Sequence, residues 1–437
     1  MSATKPPIAA ATRKPQGRID PTVLLIATFD TKQDEALFLK ARMEFRGARV
    51  LTMDVGTLGP RNFEADFSRS QVASAAGYPL EEGRGFRNQS EAIELMSKGV
   101  AVLCRDLHRR GDVCGVVGIG GAQGTEIACA GMRELPIGVP RVMVSTIACG
   151  QTTFGPLVGT SDITVMHSVA DLQGLNFVTM RVLDNAAGAI VGMVNRPEDD
   201  LVLTKGVPIA LSMLGTTTEG ALRCKRELER RGFEVVAFHQ NGTGGIAMED
   251  LIRAGAFRGV LDLNLHEIAD RYVGGLHGAI RDNRLEAAGD VGIPTVVAPG
   301  SINYAVMGPI ASLGDRWRLR PCVVHNRNLT LVRLNPEELF HIGGLVAAKL
   351  NRATGSIRVF VPLKGFSSRD REGMPHWQPE GHQAFLAALK GGLRPTITIT
   401  EVDANINDVE FTGAILAAFF DMMTQPGGLS MSEGAAG

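Results

Sequence analysis

Val113-Cys114-Gly115-Val116-Val117-Gly118-Ile119-Gly120-Gly121-Ala122-Gln123-Gly124-Thr125 joins a β-branched apolar run to a glycine-rich turn, and a helical pattern begins at Glu126. Four glycines fall within the seven residues 118–124. A buried strand that ends in glycines beside a helix N-terminus brings backbone N–H groups close to a docking ligand, and the helix dipole favours an anion there, most often a phosphate. Gly118, Gly120 and Gly124 read G-x-G-x-x-x-G, one residue longer than the dinucleotide fingerprint. No acidic residue follows about 20 positions on to hold a ribose, because that region is Val142-Met143-Val144-Ser145. No Lys-Ser/Thr pair closes the loop, so it is not a Walker loop either.

Working outward, strand-like runs alternate with helical patterns. Thr22–Thr28, Arg49–Asp54, Val113–Ile119 and Pro140–Thr146 read as buried strands, with helices over 32–45, 90–109 and 125–135 between them. The second half repeats the rhythm at Pro208–Leu214, Glu234–His239, Gly259–Leu263 and Pro294–Ala298, and a further strand falls at Ser356–Pro362. This alternation predicts an α/β fold of two tandem doubly wound, Rossmann-like domains with mainly parallel sheets. The expected organisation is a flexible tail over 1–20, a nucleotide-binding domain over 21–196, a second α/β domain over 207–424 and a flexible tail over 425–437. The long Gly/Ser/Arg/Asp/Pro segment 364–381 is expected to be functional or mobile rather than core.

The chain has 437 residues, 52 glycines, 5% aromatic residues and a net charge of −1. Near-neutral charge gives no nucleic-acid or membrane-surface signature. Six cysteines without C-x-x-C spacing predict free thiols. No secretory signal and no apolar run of 18 residues is evident, so a cytoplasmic protein without a membrane helix is expected.

Ligands of open α/β sheets bind outside the carboxyl ends of the strands. The first strand should deliver Thr28, Asp30, Thr31 and Lys32 to that rim, and the third the loop with Gly118, Gly120, Gly121, Gly124 and Thr125. The fourth should deliver Ser145, Thr146 and Gly150, with Thr160, Ser161 and Asp162 shortly after. This inventory suits a nucleotide: backbone donors and Lys32 for phosphates, hydroxyls for phosphate or ribose oxygens, and Asp30 or Asp162 for a metal or sugar. Simpler roles fit the same residues. The glycines suit close helix–sheet packing, while Asp30-Thr31 and Thr160-Ser161-Asp162 suit helix capping.

In the second half, His239, Glu267 and His325 end strands or open helices. If one rim gathers them, they form an acid–base group for an enzyme acting on a small carbonyl or acid substrate. Metal-ligand spacings of the H-x-x-x-H type are absent, so the metal assignment is left unknown.

The runs VLLIATFDTKQDE, MDVGTLGP, GIGGAQGT, VSTIACG with VGTSDITVMHSV, FHQNGTGG, VHNRNLT and VDANINDVEF, in this order, resemble one family from about Pro21 to Met423. It is the uncharacterised protein family that includes the N-terminal, ATP-binding inhibitory region of the tomato mosaic virus resistance protein. The resemblance implies a two-domain α/β protein that binds ATP in its N-terminal domain and tends to form a homodimer. The expected function is binding of ATP with Mg2+ in a regulatory or partner-binding role, with slow or no hydrolysis because no arginine sits in the candidate loops. By the same resemblance the nucleotide contacts are Thr28, Asp30, Thr31, Lys32, the glycine loop, residues 145–150 and residues 160–162. Where the family's last motif usually carries a histidine, this chain has Asn405.

Overall fold

The computed structural model describes residues 21–57, 63–78, 86–149, 155–195 and 206–424. Gly150, the two tails and most of the interdomain segment lie outside these residues. The chain divides into two compact units, Met1–Leu201 and Val202–Gly437.

In the N-terminal unit β1 (Thr22–Ala27), β2 (Arg49–Asp54), β3 (Gly115–Gly120), β4 (Arg141–Ser145) and β5 (Thr164–His167) form one sheet in the order β2-β1-β3-β4-β5. Every pairing is parallel. The strand runs are almost continuously apolar because both faces are covered, as parallel sheets require. Leu25, Ala27, Val117 and Ile119 pack under the helices Gln33–Phe45 and Phe177–Val194, and Leu24, Ile26 and Val116 under Gln89–Arg109 and Ala122–Arg133. Strand order reverses between β1 and β3, which places the topological switch point there.

The C-terminal unit repeats this winding. Its strands β6 (Val207–Met213), β7 (Phe233–His239), β8 (Gly259–Asn264), β9 (Thr295–Gly300), β13 (Ile357–Pro362) and β14 (Thr398–Val402) run in the order β14-β13-β9-β8-β6-β7, all parallel. Its switch point lies between β6 and β8. An insertion supplies a separate antiparallel sheet of β10 (Tyr304–Met307), β11 (Cys322–Asn326) and β12 (Leu329–Arg333), in the order β10-β12-β11.

Two expectations need correction. Segment 364–381 is packed: Phe366 is fully buried, its N–H donates to Asp370 Oδ2 at 2.8 Å, and Asp370 bonds His382 Nε2. Asn405 fastens the segment by donating from Nδ2 to the carbonyls of Lys364 and Ser367 at 2.9 and 3.1 Å. The apolar run after Asp162 contains an edge strand, β5, instead of continuing as a capped helix. Helix Phe177–Val194 is apolar and long enough, by composition, to cross a membrane. However, Leu183, Ala186, Ala187 and Ile190 are buried in the N-terminal core, as in any helix flanking a doubly wound sheet.

Candidate functional site

Two helices begin at the N-terminal switch point, one after β1 and one after β3. Neither donates a backbone N–H to its N-cap side chain, since those residues are Lys32 and Gly121, which offer no acceptor. The glycines of the loop divide into two roles. A Cβ at Gly120 would stand 2.7 Å from Gly124 Cα, and one at Gly118 would stand 2.8 Å from Ala128 Cβ, so these positions allow helix Ala122–Arg133 to lie close on β3. Gly121 differs, because the nearest atom to a Cβ there is Thr146 Oγ1 at 3.7 Å and its φ of −78° suits any residue. It is the glycine of the loop that keeps an approach open.

Thr125 and Ser145 are fully buried, and their hydroxyls bond each other at 2.7 Å, clamping helix to strand. Ser145 Oγ also accepts from the Ile147 N–H. Thr146, half-buried, is the hydroxyl left facing Gly121. On the β1 side, the Thr28 carbonyl accepts from the N–H groups of Thr31 and Lys32 at 3.1 and 2.8 Å, turning the chain into the helix. The two threonine hydroxyls bond each other at 3.0 Å. Lys32 is only 7% exposed, and among the described residues its ammonium makes no ion pair.

Asp54, at the end of β2, was not singled out in the sequence. Its Oδ1 accepts from the N–H groups of Phe29 and Gly56, at 3.2 and 2.8 Å. Asp30 packs beside it, since a Cβ at Gly56 would lie 2.6 Å from Asp30 Cγ. Burial, reinforced by the charge of Asp30, pushes the Asp54 carboxyl above its ordinary value, and Arg69 at 3.8 Å opposes this only in part. Two crowded carboxylates beside uncapped helix N-termini and a buried lysine form a corner able to take a phosphate group together with a divalent cation.

Thr160, Ser161 and Asp162 do not reach this rim. They precede β5, so they lie at the amino-terminal edge of the sheet, where Asp162 pairs with Arg141 at 2.8 Å and accepts from the Gly138 N–H at 2.9 Å. A strand where a helix was expected reverses the direction in which this loop points.

In the C-terminal unit no hydrogen bond or ion pair joins any two of His239, Glu267 and His325. His239 is exposed at the end of β7, an edge strand, and His325 is exposed on β11 of the antiparallel sheet. Glu267 is fully buried and structural. Its Oε1 accepts from the N–H groups of Gly242 and Gly245, at 2.6 and 3.1 Å, and its Oε2 lies 3.1 Å from Arg284 Nε. Burial raises its carboxyl above the usual range despite Arg284. Arg284 is itself buried among three carboxylates, with Asp262 at 2.6 Å and Glu249 at 3.3 Å.

A second polar group gathers around β8, where His266, Asp270 and His277 lie together and the His266 ring packs 4.9 Å from that of Tyr304. Burial disfavours charge on His266, but Asp270 outweighs it and holds the imidazole above its ordinary value. Burial pushes His277 down to about 4, and the nearby charges of His266 and His239 act the same way.

The class defined by this fold is a tandem pair of parallel doubly wound units. Residues 21–199 match the N-terminal domain, and residues 207–423 the C-terminal domain, of the uncharacterised protein family UPF0261, and the chain belongs to that family. A UPF0261 protein of Clostridium tetani is 39% identical over 402 residues, covering 92% of this chain and 98% of the relative. One of Rhizobium meliloti is 37% identical over 403 residues, with the same coverage. The ToMV resistance protein Tm-1(GCR237) of Solanum lycopersicum is 32% identical over 424 residues, which span 92% of this chain but 56% of the tomato protein. The solved structure of MurG from Acinetobacter baumannii aligns over 92% of this chain and all of that one, at 12% identity and a TM-score of 0.22, a level of likeness that carries no functional information.

Proposed function

We propose that the N-terminal unit binds ATP with Mg2+ at the carboxyl rim of β1 and β3, with slow or no hydrolysis, as the regulatory or partner-binding part of a cytoplasmic homodimer. The observation that carries this reading is the meeting of two uncapped helix N-termini with buried Lys32 at the switch point. Phosphate oxygens would accept from the head of helix Ala122–Arg133 and from Lys32. Mg2+, which commonly takes one or two carboxylates plus phosphate oxygens, suits the Asp30–Asp54 corner. The resemblance noted in the sequence names ATP among nucleotides. Rapid hydrolysis needs a positioned water and charge neutralisation at the γ-phosphate, and no arginine lies in the β1 or β3 loop. For dimerisation, Val169, Leu175, Phe177 and Met180 expose apolar surface at the start of helix Phe177–Val194, and sedimentation of the full chain tests that part.

Titration calorimetry of the full chain with ATP and MgCl2 tests the binding. Lys32→Ala is expected to weaken binding about 10- to 100-fold, the scale of one charge-assisted hydrogen bond of about 1.5–3 kcal/mol. Gly121→Val, which the local space accommodates, is expected to abolish binding without loss of fold. No heat from the wild type, or wild-type affinity in both variants, would contradict the proposal.

A further inference from the structure

His266 opens helix His266–Val273, Asp270 follows one turn later, and His277 comes back after the turn at Gly274-Gly275. His266 and Asp270 are fully buried and His277 is half-buried. One ligand atom from each lies within 4.8 Å of the others.

The hydrogen bonds around this group fix its chemistry. His266 Nδ1 is 3.0 Å from the Ser301 carbonyl, which can only accept, so Nδ1 carries a proton and donates it. In the neutral ring, Nε2 then presents a lone pair. It has no hydrogen-bond partner and faces Asp270 Oδ2 at 3.4 Å, another acceptor. His277 Nδ1 is likewise buried without a partner. Asp270 is held by backbone N–H groups on both oxygens, from His277 at 2.9 Å and Val306 at 3.0 Å. A proton on His266 Nε2 satisfies one pair of these atoms and leaves His277 Nδ1 unbonded. A cation among them gives a ligand atom of each residue a partner.

We propose that His266, Asp270 and His277 bind one divalent transition-metal ion of the Zn2+ class. Two imidazoles and one carboxylate are the ligand types of catalytic zinc and non-haem iron sites, and three protein ligands leave a position for water or a substrate oxygen. The Ser301 carbonyl and the two backbone donors on Asp270 do the orienting work that surrounding groups supply in such sites. With metal–ligand bonds of about 2.1 Å, ligand atoms stand roughly 3.4 Å apart, the separation His266 Nε2 and Asp270 Oδ2 already have, and binding draws the His277 ligand atom in to match. The site shares no residue with the proposed nucleotide corner and stands or falls separately from it.

The test uses the full chain, stripped with a chelator and titrated with Co2+ while its visible d–d absorption is recorded. The expected result is saturation at one Co2+ per chain, with displacement by one Zn2+. His277→Ala is expected to lower Co2+ affinity by at least about 100-fold, since even outer-shell substitutions cost about 10- to 100-fold. His341→Ala, an exposed histidine of helix Pro336–Leu350, should keep wild-type affinity. Should His277→Ala misfold, His277→Cys retains a ligand and should add a thiolate-to-cobalt charge-transfer band. A folded wild type that takes up no Co2+ saturably overturns the proposal. So does unchanged affinity in His277→Ala, or a His277→Cys protein that binds Co2+ without that band.

Discussion

The two units share a winding and differ at the place where winding creates a site. In the N-terminal unit the helices that start at the switch point have no side chain capping them. In the C-terminal unit the chain's own side chains occupy the corresponding positions. Asn407 Oδ1 accepts from the Gly220 N–H in the helix after β6, at 3.0 Å, and Asn264 Oδ1 accepts from the His266 N–H in the helix after β8, at 3.2 Å. Asn264 Nδ2 also donates to Ser301 Oγ and Thr217 Oγ1. One rim is left open for an anion, and the other is closed by an internal polar network. The same topology thus carries different chemistry, decided by loop residues.

The comparison breaks first, and hardest, at Arg284. Replacing it with Met leaves Asp262, Glu249 and Glu267 buried around an uncharged side chain, and breaking a buried pair in this way costs about 3–5 kcal/mol. Urea unfolding should show the C-terminal unit melting far earlier while the N-terminal unit is little changed.

A smaller effect follows from His376, whose ring is fully buried with no hydrogen bond on either nitrogen. Burial pushes it down to about 4. The unfolded chain, with a histidine near pH 6.5, takes up this proton before the folded one does. Stability is therefore full above about pH 6.5 and declines as pH falls towards 4, by about 2 kcal/mol at about pH 5 from this group alone. His376→Phe should flatten that slope and leave stability at neutral pH within about 1 kcal/mol, as no hydrogen bond is lost. An unaltered slope in urea titrations at the two pH values would remove His376 from the explanation.

Smallest is Asp54→Asn in the open rim. A carboxyl held above its ordinary value favours the neutral form, so the ionised group costs stability at neutral pH. The amide oxygen can still accept from the Phe29 and Gly56 N–H groups. The variant should melt about 1–4 °C higher and bind MgATP more weakly, the usual exchange of stability for function. A lower melting temperature would mean that the carboxylate is satisfied in the free protein.

β1 to β4 were legible because long β-branched runs ended in turn residues. β5 was not, since its four residues lie at a half-buried edge and its segment fits either period. β10 and β12, of four and five residues, were hidden for a similar reason. The residues delivered by β1 and β3 could be named from the sequence, but their adjacency depends on strand order, which local pattern does not encode. Asp54 escaped notice because its importance comes from Asp30 packing beside it across Gly56. His266 and Asp270 stand four residues apart in plain view, but His277 joins them only through a glycine turn. His239, Glu267 and His325 failed as a group because one ends an edge strand, one neutralises Arg284 and one belongs to an inserted sheet.

Hydrogen exchange of the full chain with and without MgATP tests the contrast between the rims most directly. Slowed exchange is expected at residues 28–35 and 121–126, none at 214–220 or 264–270, with loss of the effect in Gly121→Val. Protection confined to the C-terminal segments, or absent from both, would contradict it.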